Sequence, residues 1–382
     1  MDNWHPQRYK KYGKDLGIKD DVLDNAVNTG LLVRAVDSRL PPIFTLKHFA
    51  NITNVDYGFL RSVVSRDIKD PYKIFRLKKN SGRGFRIISI PDPDLMGIQR
   101  WINRNILILG NPSSVSYAFT KGISVKDAAE LHCGCRWLIK LDVRQFFESI
   151  SEIPVYRVFR KFGYQPLISL ELTRLCTRLG SNTKARNKKR WRANNAKYNI
   201  ISRYNYNRMG HLPQGAPTSP MLSNLVMQDF DESILRISNE CKLTYTRYAD
   251  DLAFSTKSNE FTRDDALKFI KKVYGVMQDN GLSPNVTKTK IAPPRARKII
   301  LGLLVDGDRP KLTREFRNNL RQHIYYLTKP EIGPAIHARN RGFTSLLGLR
   351  NHVEGLLSYA SHIDPELASS YRLKLKDVEW PF

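Results

Sequence analysis

Apolar and polar positions change period several times along this chain, and each change predicts an element. Residues 1–60 mix polar stretches with short apolar runs such as Gly30-Leu31-Leu32-Val33, punctuated by Pro41-Pro42, which predicts the helices of a small N-terminal cap. From Tyr72 the text becomes strand-like: Tyr72 to Lys79, the turn Ser81-Gly82-Arg83-Gly84, then Phe85 to Ile90 before Pro91, a basic β-hairpin. Helical spacing returns around Gln99-Arg100-Trp101-Ile102. Trp137 to Leu141 forms a short apolar strand with Asp142 at its end, and Tyr245 to Ser255 predicts a hairpin turning between Tyr248 and Asp251. The last 70 residues again carry helical spacing, with Arg314, Arg317, Arg321 and Lys329 in one segment and Leu346-Leu347-Gly348-Leu349 to Leu356-Leu357 in another.

Residues 181–209 break this pattern. They are polar, and six of the nine residues from Lys184 to Arg192 are Lys or Arg. The plain reading is a solvated loop; the functional one is a nucleic-acid contact in which Trp191, Tyr198, Tyr204 and Tyr206 stack on bases. The whole chain favours the second, because its 63 Lys and Arg against 36 Asp and Glu leave a formal charge of +27, which calls for a polyanion. At 382 residues with 41% hydrophobic content, the chain can bury a large core divided among two or three subdomains. No run of about 18 apolar residues and no signal-peptide core in Met1-Asp2-Asn3-Trp4-His5-Pro6 point to a membrane, so the chain reads as cytosolic. The four cysteines make no disulfide framework, and His132 beside Cys133-Gly134-Cys135 lacks a fourth ligand at zinc spacing.

Chemistry concentrates in the acids. Asp250-Asp251 interrupt a run otherwise written in aromatic, β-branched and apolar letters. On a hairpin tip their mutual repulsion needs a cation to relieve it, and magnesium, with its preference for oxygen ligands, suits them. Surface turns also contain such pairs, so the doublet alone decides little. Asp142, at a strand end followed by Phe146-Phe147, supplies a third carboxylate, with helix capping as its plain alternative. Three such acids can hold two magnesium ions roughly 3.5–4 Å apart, a pair that activates a primer hydroxyl and clamps a triphosphate.

Leu141-Asp142-Val143-x-x-Phe146-Phe147, Leu212-Pro213-Gln214-Gly215-Ala216-Pro217-Thr218-Ser219-Pro220 and Tyr248-Ala249-Asp250-Asp251, in that order, resemble the reverse transcriptase family, and within it the bacterial retron-type enzymes. The resemblance runs from about Tyr72 to the C-terminus and takes in Gly281-Leu282-x-x-Asn285-x-x-Lys288-Thr289 and Ile299-Ile300-Leu301-Gly302-Leu303. It implies an α+β right-hand fold: a helical cap over 1–60, fingers over 61–140, a palm over 141–295 with the basic insertion 181–209, and the palm end with a helical thumb over 296–382. By the same resemblance Asp142, Asp250 and Asp251 hold two Mg2+ ions, with Val143 joining the metal and nucleotide set. Phe147 leaves no room for a 2′-hydroxyl, whereas Phe146 fits a core position. Lys79 and Arg86 match fingers residues that contact the incoming triphosphate, although as hairpin cations they need no special role. Gln214 and Gly215 match the segment under the templating base pair, and Lys288 matches a lysine near the pyrophosphate, as general acid or as a fixed charge.

Two departures bear on the retron assignment: the family's Asn-Ala-x-x-His stands here as Ala128-Ala129-Glu130-Leu131-His132, and its Val-Thr-Gly as Ile300-Leu301-Gly302. The implied partners are a structured noncoding RNA serving as template and primer, its complementary DNA, deoxynucleoside triphosphates and a toxic effector protein in phage defence. The alternatives are a defence enzyme with untemplated or protein-primed synthesis, a group II intron-derived enzyme, and an inert palm that only binds RNA.

Overall fold

The computed structural model describes residues 4–68, 70–78, 85–180, 191, 204 and 208–380. The cap consists of α1 (Pro6–Asp15), α2 (Asp20–Val36), α3 (Leu46–Thr53) and α4 (Tyr57–Ser65). Thr45 and Asp56 cap α3 and α4 by accepting the amides of His48 and Phe59. Helix α4 runs across position 60, so the expected boundary between cap and fingers falls inside an element, and Leu60, Val63 and Val64 share the main core with the palm.

The fingers hairpin pairs β1 (Tyr72–Lys78) with β2 (Phe85–Pro91) in antiparallel register, Tyr72 opposite Pro91 and Lys78 opposite Phe85. Lys79 and the rest of the turn lie outside the described residues. The base of the hairpin is anchored: Gln99, on α5 (Pro93–Asn105), donates to the Tyr72 hydroxyl at 2.9 Å and to Leu175 O at 2.8 Å. Arg66 spans from the cap to Glu152 at 2.6 Å, and Arg178 pairs with Asp70.

After α6 (Val125–Glu130), β3 (Trp137–Asp142) enters the palm sheet. Then α7 (Phe146–Ser149), α8 (Glu152–Lys161), α9 (Pro166–Cys176), α10 (Ser219–Val226) and α11 (Gln228–Glu240) intervene before the hairpin of β4 (Thr244–Tyr248) and β5 (Asp251–Thr256). Helix α12 (Arg263–Asp279) leads to β6 (Lys290–Ala292), and the four strands order as β4-β5-β3-β6, all antiparallel. The period of two divides this sheet's side chains. Ile139, Leu141, Leu252, Phe254 and Tyr245 face the main core, where Phe254 stacks on Tyr245 at 4.9 Å and meets Phe269 of α12 edge-on. Leu138, Lys140, Asp142, Asp251 and Ala253 share the other face. One end of that face is closed: Leu138 and Ala253 pack into a second core with Cys133 and Cys135, and His132 bridges Ser255 at 2.7 Å and Thr246 at 2.8 Å. The other end holds the acids.

A small sheet of β7 (Ile299–Ile300), β8 (Leu303–Leu304) and β9 (Lys311–Leu312) connects to α13 (Arg314–Thr328), α14 (Gly333–Asn340), α15 (Leu346–Ile363) and α16 (Pro365–Leu375). These helices pack on Leu320, Ile324, Leu349, Val353 and Leu357 in the second core, in the stretch where a helical thumb is expected. No helix among the described residues is long and apolar enough to cross a membrane.

Most of the basic insertion, including Lys184 to Arg190, Tyr198 and Tyr206, lies outside the described residues. Two of its aromatics correct the stacking expectation. Tyr204 is buried, donates to Glu171 Oε1 at 2.6 Å and lies under the Arg61 guanidinium at 4.7 Å. Trp191 is also buried, its carbonyl held by the Met209 amide. A buried ring cannot offer a face to a base, so neither Trp191 nor Tyr204 is placed for stacking.

Candidate active site

The β3–β5 ladder places Asp142 directly opposite Asp251. Like charges in that position repel and destabilise the pair. The tip between Tyr248 and Asp251 is a two-residue turn with Ala249 at φ +54°, left-handed backbone that costs a non-glycine residue about 1–2 kcal/mol. The tight turn holds Asp250 beside its neighbours, and the Val143 amide donates to Asp250 O at 2.9 Å, locking the end of β3 to the tip.

Asp142 is buried, and both of its carboxylate oxygens are engaged. Asn285 Nδ2 donates to Oδ1 at 2.7 Å, and the Lys288 ammonium donates to Oδ2 at 2.6 Å. The Asn285 amide also binds the Asp142 carbonyl, and the Arg144 amide binds Ser283 O, so the segment after α12 is stitched along the end of β3. Burial, then the charge of Asp142, push the Asp250 carboxyl up to about 6, against a backbone hydrogen bond and Lys288. Burial also raises Asp251, with Lys140 opposing. Partial burial disfavours the Lys288 ammonium, but its bond to Asp142 and the surrounding carboxylates leave its pKa raised.

Three carboxylates offer hard oxygen donors that suit a hard divalent cation, burial raises the proton affinity of Asp250 and Asp251, and the Lys288 ammonium already fills one acceptor position on Asp142 with positive charge. No three His, Cys, Asp or Glu side chains among the described residues close into a cage. Magnesium is usually held by one or two carboxylates with water and substrate phosphates completing the shell. Val143 is buried with its amide used, so only its carbonyl could reach an ion.

Phe146 is buried, the core residue expected, while Phe147 is half-buried and meets Phe146 edge-on at 5.4 Å. Gln214 stands in the loop before α10, and its carbonyl accepts the Ser89 amide of β2 at 2.7 Å. Gly215, at φ +114°, lies so close to Ile88 that a Cβ would sit 2.8 Å from its Cγ2. Arg86 is exposed and, two residues before Ile88, projects from the same face of the hairpin, the face that leans over this loop. The structure thus brings Asp142, Val143, Asp250, Asp251 and Lys288 together and Gln214 against the fingers; no contact joins Arg86 to the acids among the described residues.

The sequence model of the reverse transcriptase (RNA-dependent DNA polymerase) family matches residues 77–305, more than half of the chain. The chain belongs to the reverse transcriptase family. It is therefore an RNA-directed DNA polymerase with the right-hand fold of that family. Its likeness to retron-type reverse transcriptases runs over most of the chain. It is 27% identical to the retron Ec86 reverse transcriptase of Escherichia coli over 340 residues, 88% of this chain and 95% of that one. It is 27% identical to the Escherichia coli retron Ec73 enzyme, covering 81% and 89%. Against the retron Mx162 reverse transcriptase of Myxococcus xanthus the identity is 26%, covering 85% and 63%. A solved Candida albicans telomerase in complex with a fragment of telomeric RNA superposes on 83% of this reverse transcriptase and 57% of the telomerase chain, with 11% identity and a TM-score of 0.44.

Residues that the motifs alone did not single out support this centre. Arg247, fully buried on the core face of β4, pairs with Asp231 of α11 through two bonds of 2.7 Å. It also reaches Asn224 of α10 at 3.2 Å, one strand residue before Tyr248. The visible signal was an arginine in strand text with an acid on the apolar side of a helix.

Proposed function

We propose that the enzyme copies part of a structured noncoding RNA into DNA, with Asp142, Asp250 and Asp251 holding two Mg2+ ions. The observation that carries this reading is the cross-strand pairing of Asp142 with Asp251, with Asp250 on the adjoining turn and Lys288 on Asp142. Bound magnesium supplies activation of a primer hydroxyl and stabilisation of the leaving pyrophosphate. The chain's own residues do the rest. Lys288 sets a positive charge, and a transferable proton, beside the acids. Gly215 lets backbone approach the template base pair. Phe147 excludes a 2′-hydroxyl, and Arg86 with Lys79 receives the triphosphate. Cations of the 184–192 segment hold the RNA backbone.

The likeness to retron enzymes over most of the chain supports the noncoding RNA as template and primer. It also supports a phage-defence role with a toxic effector partner, for which the test is phage plating on cells carrying the intact gene or Asp250→Asn.

The deciding experiment purifies the chain from its native locus and sequences the co-purifying nucleic acid before and after separate RNase and DNase treatment. A discrete RNA joined to complementary DNA, lost in Asp250→Asn and Asp251→Asn while RNA binding persists, is the expected result. DNA unrelated to the bound RNA would replace the reading with untemplated synthesis, and RNA without DNA when nucleotides and magnesium are supplied would replace it with an inert binding module.

A further inference from the structure

Phe119 is an aromatic residue in an unusual position. It is 46% exposed, yet its backbone is left-handed at φ +60°, a region that bulky residues seldom occupy unless surrounding contacts impose it. Those contacts lie immediately before it. Residues 115–117 add to the edge of β4: the Arg247 amide donates to Val115 O at 2.8 Å and the Tyr117 amide to Arg247 O at 2.9 Å. Asn224 accepts from the Ser116 hydroxyl at 2.9 Å and donates to Ala118 O at 2.6 Å, and Thr120 Oγ1 donates to the same carbonyl at 3.2 Å. Asn224 and Arg247 are both fully buried, so the platform that presents Phe119 is tied to the support beneath the acidic hairpin.

The presented ring sits between two others. Its centroid is 6.4 Å from that of Phe147 and 6.4 Å from that of Tyr248, tilted by 44° and 41°, within the range of favourable aromatic pairs. Phe147 follows the end of β3 and Tyr248 leads into the acidic turn, so Phe119 links the ring facing the sugar to the strand that carries Asp250 and Asp251. Phe147 thus has one buried ring partner, Phe146, and one exposed ring partner, Phe119.

We propose that Phe119 is a positioning residue for sugar selection: it fixes the Phe147 ring against Tyr248 and thereby sharpens discrimination between deoxynucleotides and ribonucleotides. This rests on Phe147 being the ring that meets the sugar. Steric exclusion of one hydroxyl works only if the excluding ring cannot retreat, and Phe119 is the exposed ring packed against Phe147.

The test measures kcat/KM for dCTP and CTP opposite a template guanine on a synthetic RNA template with a DNA primer, in the full chain and in Phe119→Ala, Phe119→Leu, Phe119→Tyr and Phe147→Val. Phe119→Ala and Phe119→Leu are expected to lower the dCTP:CTP ratio by about two- to tenfold, the worth of one aromatic pair. Phe119→Tyr keeps the ratio, and Phe147→Val lowers it further. Adding Phe119→Ala to Phe147→Val brings no additional loss, because the two act as one unit. Phe119→Leu, which keeps apolar volume, serves if the alanine variant does not fold. A lowered ratio in Phe147→Val with an unchanged ratio in the folded Phe119 variants would overturn the proposal and leave the sugar-facing role of Phe147 standing. An unchanged ratio in Phe147→Val would overturn both.

Discussion

Lys288 donates to Asp142 Oδ2 at 2.6 Å while Asn285 holds Oδ1, so the acid at the end of β3 is oriented by two residues that arrive 143 and 146 positions later in the chain. The Lys288 side chain itself is about half exposed. Removing its charge therefore leaves packing intact but strips the site of a fixed cation and a proton source.

Lys288→Met is expected to lower kcat by about 10²–10⁴-fold if the lysine donates a proton in the transition state. Lys288→Arg, which keeps the charge but not a tunable proton, retains most RNA binding and little of the rate. Single-nucleotide incorporation across pH separates the roles: loss of the alkaline limb in Lys288→Met assigns the proton, and a uniformly lowered profile assigns a fixed charge.

The Asp250 carboxyl, raised to about 6 from 3.8, binds its proton more tightly in the folded chain than in the unfolded one. Its contribution to stability is therefore present at low pH and is lost as pH rises from about 4 to about 6. In chelator, Asp250→Asn should match the unchanged chain near pH 4 and melt at higher temperature above pH 6, with a difference of the order of a few kcal/mol. Adding Mg2+ should narrow that gap at high pH, because the cation competes with protons for the same oxygens. Equal melting temperatures at every pH would contradict this.

Gly215→Ala places a methyl group 2.8 Å from Ile88 Cγ2 and 3.1 Å from the Ser89 carbonyl, at a φ of +114° that side chains do not adopt. The expected cost is about 1–3 kcal/mol from backbone strain alone, read by urea denaturation. The hairpin must also lift from the Gln214 loop, so KM for nucleotide rises in the fraction that folds.

Arg247→Met leaves Asp231 buried without its guanidinium and should destabilise the chain by about 3–5 kcal/mol. Arg247→Met with Asp231→Asn removes the orphan charge while keeping an acceptor for the Tyr245 hydroxyl, which donates to Asp231 at 2.9 Å. Denaturation midpoints should show the double variant recovering a large part of the loss.

Elements whose register follows from alternation were legible in the sequence. Trp137 to Asp142 and Tyr248 to Asp251 were readable because short apolar strands end in acids, and period two then decides that Asp142 and Asp251 share a face. The burial of Tyr204 was not readable, since a tyrosine in a polar, basic stretch looks solvent-facing until Arg61 and Glu171, from remote helices, close over it. The Asn224–Arg247–Asp231 support was equally hidden: each member is an ordinary polar residue in its own segment, and only the packing of α10 and α11 against β4 joins them.

The palm sheet's order, β4-β5-β3-β6, makes the inner strand β3 the earliest of the four in the chain. Strand β3 must wait through about a hundred residues for β5 and longer still for β6, a connection that closes slowly because its entropy is lost before any pairing rewards it. As the chain leaves the ribosome, cap and fingers can therefore pack first, while Asp142 stays without Asp251, Asn285 or Lys288. A truncated product ending between Asp251 and Asn285 carries the acids but not the side chains that orient Asp142, so copying of RNA is expected to wait until that later segment has emerged.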